Sequence, residues 1–275
     1  MKLTKKLFPA IGMLLLSACM LVTSTFAWFA MNENVTATGM SVTAKGDQVY
    51  LQIVAGKSTP QDGETPAVNV WENMDGKHTP PVSATTLQSS EVLPVNVVQS
   101  INSQNKKEVV DFGTDGDYAT MVWVTNVGTD NANGAASTEY TNVSSADNGK
   151  YYIHNTFSIR LDPTAGADVA KKALTIQSIE TSATADAFQG CLNVLVVSTI
   201  NGVKYAQIWD YNESTDEFSK AKGSAALSAD PFSDDYDAVI DVYVFFNGDD
   251  ADCTQVKLAA AAAATYGVEI NFTVA

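Results

Sequence analysis

The sequence predicts an all-β protein: a jelly-roll-like antiparallel β-sandwich with long loops, preceded by a signal-peptide helix. Three observations lead there. Short apolar or alternating segments recur along the chain, each bounded by turn-forming residues. The stretches between them are long and dense in Gly, Pro, Asn, Asp and Ser. After the leader only Leu258–Thr265, with its six consecutive alanines, is a strong helix former.

The elements follow in chain order. Lys2, Lys5 and Lys6 precede an apolar run from Leu7 to Val22, and Thr25-Phe26-Ala27 supplies small residues at the −3 and −1 positions of a cut. This is the pattern of a secretory signal peptide over residues 1–27, cut between Ala27 and Trp28. The chain then enters strand-like sequence with no polar linker. Phe29–Ala37 and Met40–Ala44 each alternate, but one residue out of phase, and Gly39 stands at the change, where a bulge or bend restores register. The first piece is thus able to swing out while the second stays in its own sheet. Residues 28–38 are a candidate donor strand, with Trp28, Phe29, Met31, Val35 and Ala37 as its apolar contacts.

Val49–Val54 is a short strand, and Gly56–Pro81 a loop that holds a short strand around Val68, Val70 and Trp71. Val92–Val98 contains Pro94 and suits a sheet edge. Tyr118–Val127 is apolar on both faces and suits a central position. After a loop from Gly128 to Lys150, strands are expected at Tyr151–Leu161, Leu174–Ile179 and Leu192–Ile200. Asn201-Gly202 is a two-residue hairpin signal, so Val203–Trp209 should pair antiparallel with Leu192–Ile200. Asp210–Asp237 reads as an acidic loop, Val239–Phe246 as a buried strand, and the last strand puts Val268, Ile270, Phe272 and Val274 on one face. No linker or repeat divides the chain, so residues 28–275 are read as a single domain.

Lys+Arg total 16 against 31 for Asp+Glu, a net charge of −15. The leader holds three of the lysines and no acid, so the processed chain is more negative still. That balance argues against nucleic acid and anionic membranes as partners. Cys191 and Cys253 survive a cut at Ala27, and an exported chain could join them in a disulfide or bury them as two thiols. Leu16-Ser17-Ala18-Cys19 also fits a lipobox, which would lipidate Cys19 and anchor the chain; against it, Met20-Leu21-Val22 continues the apolar run where a polar tether is usual.

Catalytic motifs are missing. There is no His-Glu-x-x-His, no Gly-x-Ser-x-Gly elbow and no Gly-x-x-x-x-Gly-Lys-Ser/Thr phosphate loop, since Gly56-Lys57-Ser58 has Leu51 where the first glycine would stand. The two histidines, His78 and His154, lie far apart in sequence, and Cys191 has no basic neighbour to activate it. The chain is therefore read as a non-enzyme. Three acidic clusters remain: Asp111/Asp115/Asp117, Asp234/Asp235/Asp237 and Asp249/Asp250/Asp252. The last is the best candidate for a Ca²⁺ turn, although it lacks the full loop spacing, and a solvated acidic loop is the plainer alternative. No other cofactor is expected. Trp71, Trp123, Tyr151, Tyr152, Trp209 and Tyr211 could form a sugar-binding platform; for Trp123 and Trp209, which lie on expected strands, packing is the preferred reading.

Thr25-Phe26-Ala27 before the cut, Trp28-Phe29-Ala30-Met31-Asn32 after it, and Val35-Thr36-Ala37-Thr38-Gly39-Met40 resemble the start of the TasA/camelysin family of secreted biofilm-matrix fibre proteins, processed by a SipW-type signal peptidase. The close resemblance covers about residues 20–44. It implies secretion by a Gram-positive bacterium, a jelly-roll monomer, and fibres in which each mature N-terminal strand inserts into the next subunit. The protease activity described for some members is not carried over, because its motif is missing here.

The expectation is thus a secreted structural subunit, extracellular or on the cell surface, whose partners are copies of itself and, during export, the signal peptidase. It would have no membrane contact after processing unless Cys19 is lipidated. The alternative is a surface lipoprotein or adhesin, anchored at Cys19, that binds a glycan or protein.

Overall fold

A computed structural model describes residues 41–46, 51–55, 72–73, 77–78, 93–101, 109–110, 120–126, 140–143, 150–162, 172–181, 190–229, 232, 237–250, 253 and 267–275. The leader, the donor segment 28–38, Cys19, Trp71 and the Leu258–Thr265 alanine run lie outside these residues.

The described residues are almost wholly β. The strands are β1 (Ser41–Gly46), β2 (Leu51–Ala55), β3 (Glu72–Asn73), β4 (Lys77–His78), β5 (Asn96–Val98), β6 (Ser100–Ile101), β7 (Val109–Val110), β8 (Val122–Asn126), β9 (Tyr140–Asn142), β10 (Tyr152–Leu161), β11 (Leu174–Thr181), β12 (Leu192–Ile200), β13 (Val203–Asn212), β14 (Glu217–Gly223), β15 (Ala238–Phe246) and β16 (Gly267–Val274). They form a seven-stranded sheet, β14-β13-β12-β15-β10-β2-β3, and a four-stranded sheet, β11-β16-β1-β4. A three-stranded sheet, β5-β8-β9, and the β6-β7 pair complete the set.

The two larger sheets face each other across one core. Alternation supplies it: Phe157, Ile159 and Leu161 of β10, Val194 and Val196 of β12, and Ile240, Val242, Val244 and Phe246 of β15 point to the same side. They meet Leu174, Ile176 and Ile179 of β11 and Val268, Ile270 and Phe272 of β16. Phe157 and Phe272, both fully buried, touch edge to face across the sandwich at 5.9 Å. The opposite face of the seven-stranded sheet carries Tyr152, Leu195, Val197, Ile208 and Phe245 and packs against Val95, Val97, Met121 and Trp123.

The expected hairpin is present. Ile200 faces Val203, and Asn201 (φ 48°) and Gly202 (φ 80°) take the left-handed conformations that a two-residue turn requires. The Val92–Val98 segment yields β5, at an edge of its small sheet with Pro94 ahead of the strand, and β8 is central there.

Two corrections follow. The Asp210–Asp237 stretch is not all loop: β13 continues to Asn212, and β14 returns antiparallel to it. Their polar sequence hides strands because this hairpin closes an edge of the sheet, where only Tyr211, Phe218 and a few neighbours need burial. The sandwich is also not purely antiparallel. β1 runs parallel to β16, from Ser41 opposite Gly267 to Gly46 opposite Phe272. The first described strand thereby lies inside its sheet, between β16 and β4.

Candidate functional site

The feature with the clearest capacity for interaction is the seam where the two large sheets part. β11 is the edge of one sheet and β14 the edge of the other. The start of β11 is covered. Leu174 donates its N–H to Ser228 Oγ (2.8 Å) and accepts from the Leu227 N–H (2.7 Å), and Phe232 N–H reaches the Lys172 carbonyl (2.8 Å). Beyond Ile176 the register with β16 slips at a bulge, and among the described residues no strand pairs with the outer side of Gln177–Thr181.

This open stretch borders a cleft of about 540 Å³. Trp209, only partly buried, lines it beside Ile179 and Phe218, which are buried in the main core, and Glu180, Asp216 and Glu217 make its rim acidic. Trp209 is held by its indole N–H, which donates to Gln207 Oε1 at 3.2 Å. Asp216 (φ 56°) turns the chain into β14 and accepts the Tyr211 hydroxyl at 3.0 Å. Thr181 Oγ1 is shut off from solvent with no hydrogen-bond partner. An edge strand without a neighbour is a place where an added strand can pair through its backbone groups. Sequence reading missed this seam, because which strand ends a sheet is a property of topology.

The acidic turn at 247–250 is structural in its contacts. Asp249 takes hydrogen bonds from Asn96 Nδ2 and from the Tyr140 hydroxyl (3.2 Å to Oδ2), so it ties β15 to the small sheet. Gly248 N–H donates to the Val95 carbonyl at 3.1 Å, and Asn247 N–H to that of Cys191 at 2.9 Å. Nearby, Asn193 Nδ2 donates to Asp210 Oδ1 at 2.6 Å. Burial raises the Asp210 pKa, opposed by Lys222 and the Asn193 hydrogen bond and assisted by Asp250. Asp252 lies outside the described residues, as do Asp111, Asp115, Asp117, Asp234 and Asp235. Among the described residues no three His, Cys, Asp or Glu side chains are grouped to share a cation. Cys191 and Cys253 are both buried in the main core and are not joined to each other, the arrangement of two thiols.

One polar cluster superficially resembles a catalytic triad. His154 Nε2 lies 2.8 Å from Asp241 Oδ1, and Thr156 Oγ1 donates to that same oxygen at 2.7 Å while lying 3.1 Å from Nε2. A relay needs acid and nucleophile on opposite ring nitrogens. Here both sit at Nε2, so Thr156 and His154 share one carboxylate oxygen. The neighbouring aromatic faces are also occupied: His154 stacks on Tyr243 (4.3 Å), and Trp123 on Tyr152 (4.2 Å). Burial raises both hydroxyl pKa values, that of Tyr152 to about 12 and that of Tyr243 further, helped by Asp241. Tyr211 is buried edge to face against Phe218. A second cavity, about 200 Å³, lies beside Asn96, Thr125 and Tyr151.

No family model matches the chain, and no curated protein or solved structure is significantly similar to it.

Proposed function

We propose that this chain is a secreted structural subunit that assembles head-to-tail into extracellular fibres by inserting its N-terminal segment, Trp28–Thr38, into a neighbouring copy. The supporting observation is that, among the described residues, no strand pairs with the outer side of Gln177–Thr181, beside a cleft lined by Ile179, Trp209 and Phe218. Such an edge is costly to leave exposed and is satisfied by an incoming strand. The segment just ahead of β1 is apolar and aromatic, and a head-to-tail contact of this kind does not close on itself, so it propagates. The resemblance of residues 20–44 to fibre-forming proteins points the same way. On this reading the protein is not an enzyme.

The test is electron microscopy of the secreted chain beginning at Trp28, beside the same chain lacking residues 28–38. Filaments from the first and monomers from the second are expected. Filaments from the truncated chain would overturn the reading.

A further inference from the structure

We infer that the cleft between β11 and the β13–β14 hairpin binds an amino sugar, a carbohydrate that carries a free ammonium group. The site shares the seam of the fibre reading but does not rest on that reading.

The strands on both sides of this cleft are irregular where they line it. The β11–β16 register slips between Ile176 and Ser178, with Gln177 as the extra residue, and the β13–β14 register slips between Ile208 and Trp209. Bulges re-aim side chains beside functional sites. Here the two fall at Gln177 and Trp209, which line the same cleft from opposite sheets. Its volume of about 540 Å³ is that of a small-molecule site, for which about 300–1,000 Å³ is usual.

The lining side chains are held in place without a ligand. Gln207, 1 % exposed, donates from Nε2 to the Ser224 and Ala225 carbonyls (3.0 and 3.1 Å) and accepts the Trp209 indole N–H at 3.2 Å. Trp209 is thus a fixed aromatic surface, stacked on no other ring among the described residues. Across the cleft, Asn271 Nδ2 donates to Ser178 Oγ (2.8 Å) and Glu180 Oε1 (3.3 Å), which leaves the Ser178 hydroxyl proton free to donate. Tyr211 orients Asp216 through its hydroxyl (3.0 Å). Side chains ordered in advance lower the entropy lost on binding.

The chemistry of the lining selects the ligand. Gln177 and Ser178 supply donors and the carboxylates supply acceptors, a mixture that suits adjacent hydroxyl groups. Trp209 supplies the flat ring on which the apolar face of a pyranose can lie. Glu180, Asp216 and Glu217, all exposed, form no ion pair among the described residues. Lys220, opposite Trp209 in the hairpin, directs its Nζ to the Ser224 carbonyl instead (3.3 Å). A neutral sugar leaves that negative rim unanswered, whereas an ammonium meets both the carboxylates and the indole face. The carboxylates are not grouped closely enough to share a metal ion, so a cation carried on an extended frame fits them better than a bare one.

Isothermal titration calorimetry of the chain beginning at Trp28, at about pH 6 where an amine of this kind is charged, tests the inference. The probes are a β-1,4-linked glucosamine tetramer, its N-acetylated form and spermine. The glucosamine tetramer should bind about tenfold tighter than either of the others. No saturable heat with it, equal binding of the N-acetylated form, or equal binding of spermine overturns the proposal. Trp209→Ala should weaken the glucosamine tetramer about tenfold. Glu217→Gln, at an exposed position that folding does not need, should weaken it about threefold and leave the N-acetylated form unchanged. Unchanged binding in Glu217→Gln overturns the proposal even where Trp209→Ala fails to fold. Microscopy of the same samples decides the fibre reading separately: filaments without sugar binding remove only this site, and sugar binding without filaments removes only the fibre.

Discussion

Gly223 sits against Ala206 so closely that a Cβ on the glycine would fall 2.1 Å from the Ala206 carbonyl oxygen. Its φ of 104° adds a second restriction, since L side chains rarely occupy that region. The next residue, Ser224, gives that same carbonyl both its N–H (2.7 Å) and its hydroxyl (3.1 Å). Gly223→Ala should therefore lower stability by about 3 kcal/mol or more, through overlap with backbone that cannot retreat. Urea unfolding checks this, and a loss below about 1 kcal/mol would show that β14 rearranges cheaply.

Phe272 and Phe157 join the two large sheets, and both are fully buried. Phe272→Ala should cost about 3–5 kcal/mol, and Phe157→Ala about the same. The double variant should cost less than the sum, because each removes the same edge-to-face contact. Strict additivity in a double-mutant cycle would contradict the direct contact.

Asp210 has its pKa raised mainly by burial. The folded state then binds its proton more tightly than the unfolded chain does, so this group makes stability fall as pH rises through the carboxylate range. Asp210→Asn should raise Tm modestly at pH 7, keep an acceptor for Asn193, and lose its advantage at acid pH, where the aspartate is already neutral. A larger benefit at low pH than at neutral pH would reverse the assignment.

At the alkaline end, the raised Tyr152 and Tyr243 hydroxyls predict the same sign. Unfolded tyrosine ionises near pH 10, and the folded groups hold their protons to about 12 or beyond. Stability should decline from about pH 10 upward. Tyr243→Phe should reduce that decline, as read from Tm between pH 9 and 11.5.

Trp209 has a different prediction, because it lines the seam and is only partly buried. On the proposed fibre reading, Trp209→Ala should cut filament yield several-fold while lowering stability by about 1–2 kcal/mol. Unchanged filaments would move the acceptor elsewhere on the molecule.

Much of the sandwich was legible from residues alone. β10, β12, β15 and β16 alternate or run apolar so strongly that burial could have only one pattern, and Asn201-Gly202 fixed one pairing outright. β14 was not legible: Glu217-Phe218-Ser219-Lys220 offers one buried ring, and its strand character comes from pairing with β13. The parallel neighbour of β1 was equally hidden, because pairing partners at opposite ends of a chain leave no local trace. The candidate site divides in the same way. Donor-like apolar residues show in sequence, whereas the open edge of β11 exists only once β16 has taken its other side.

The parallel pairing of β1 with β16 has a mechanical consequence. The chain enters β1 at one end of the sheet and leaves β16 at the other, over six matched residue pairs. A pull applied between the two termini therefore loads those hydrogen bonds in shear, all together, and cannot open them one by one like a zipper.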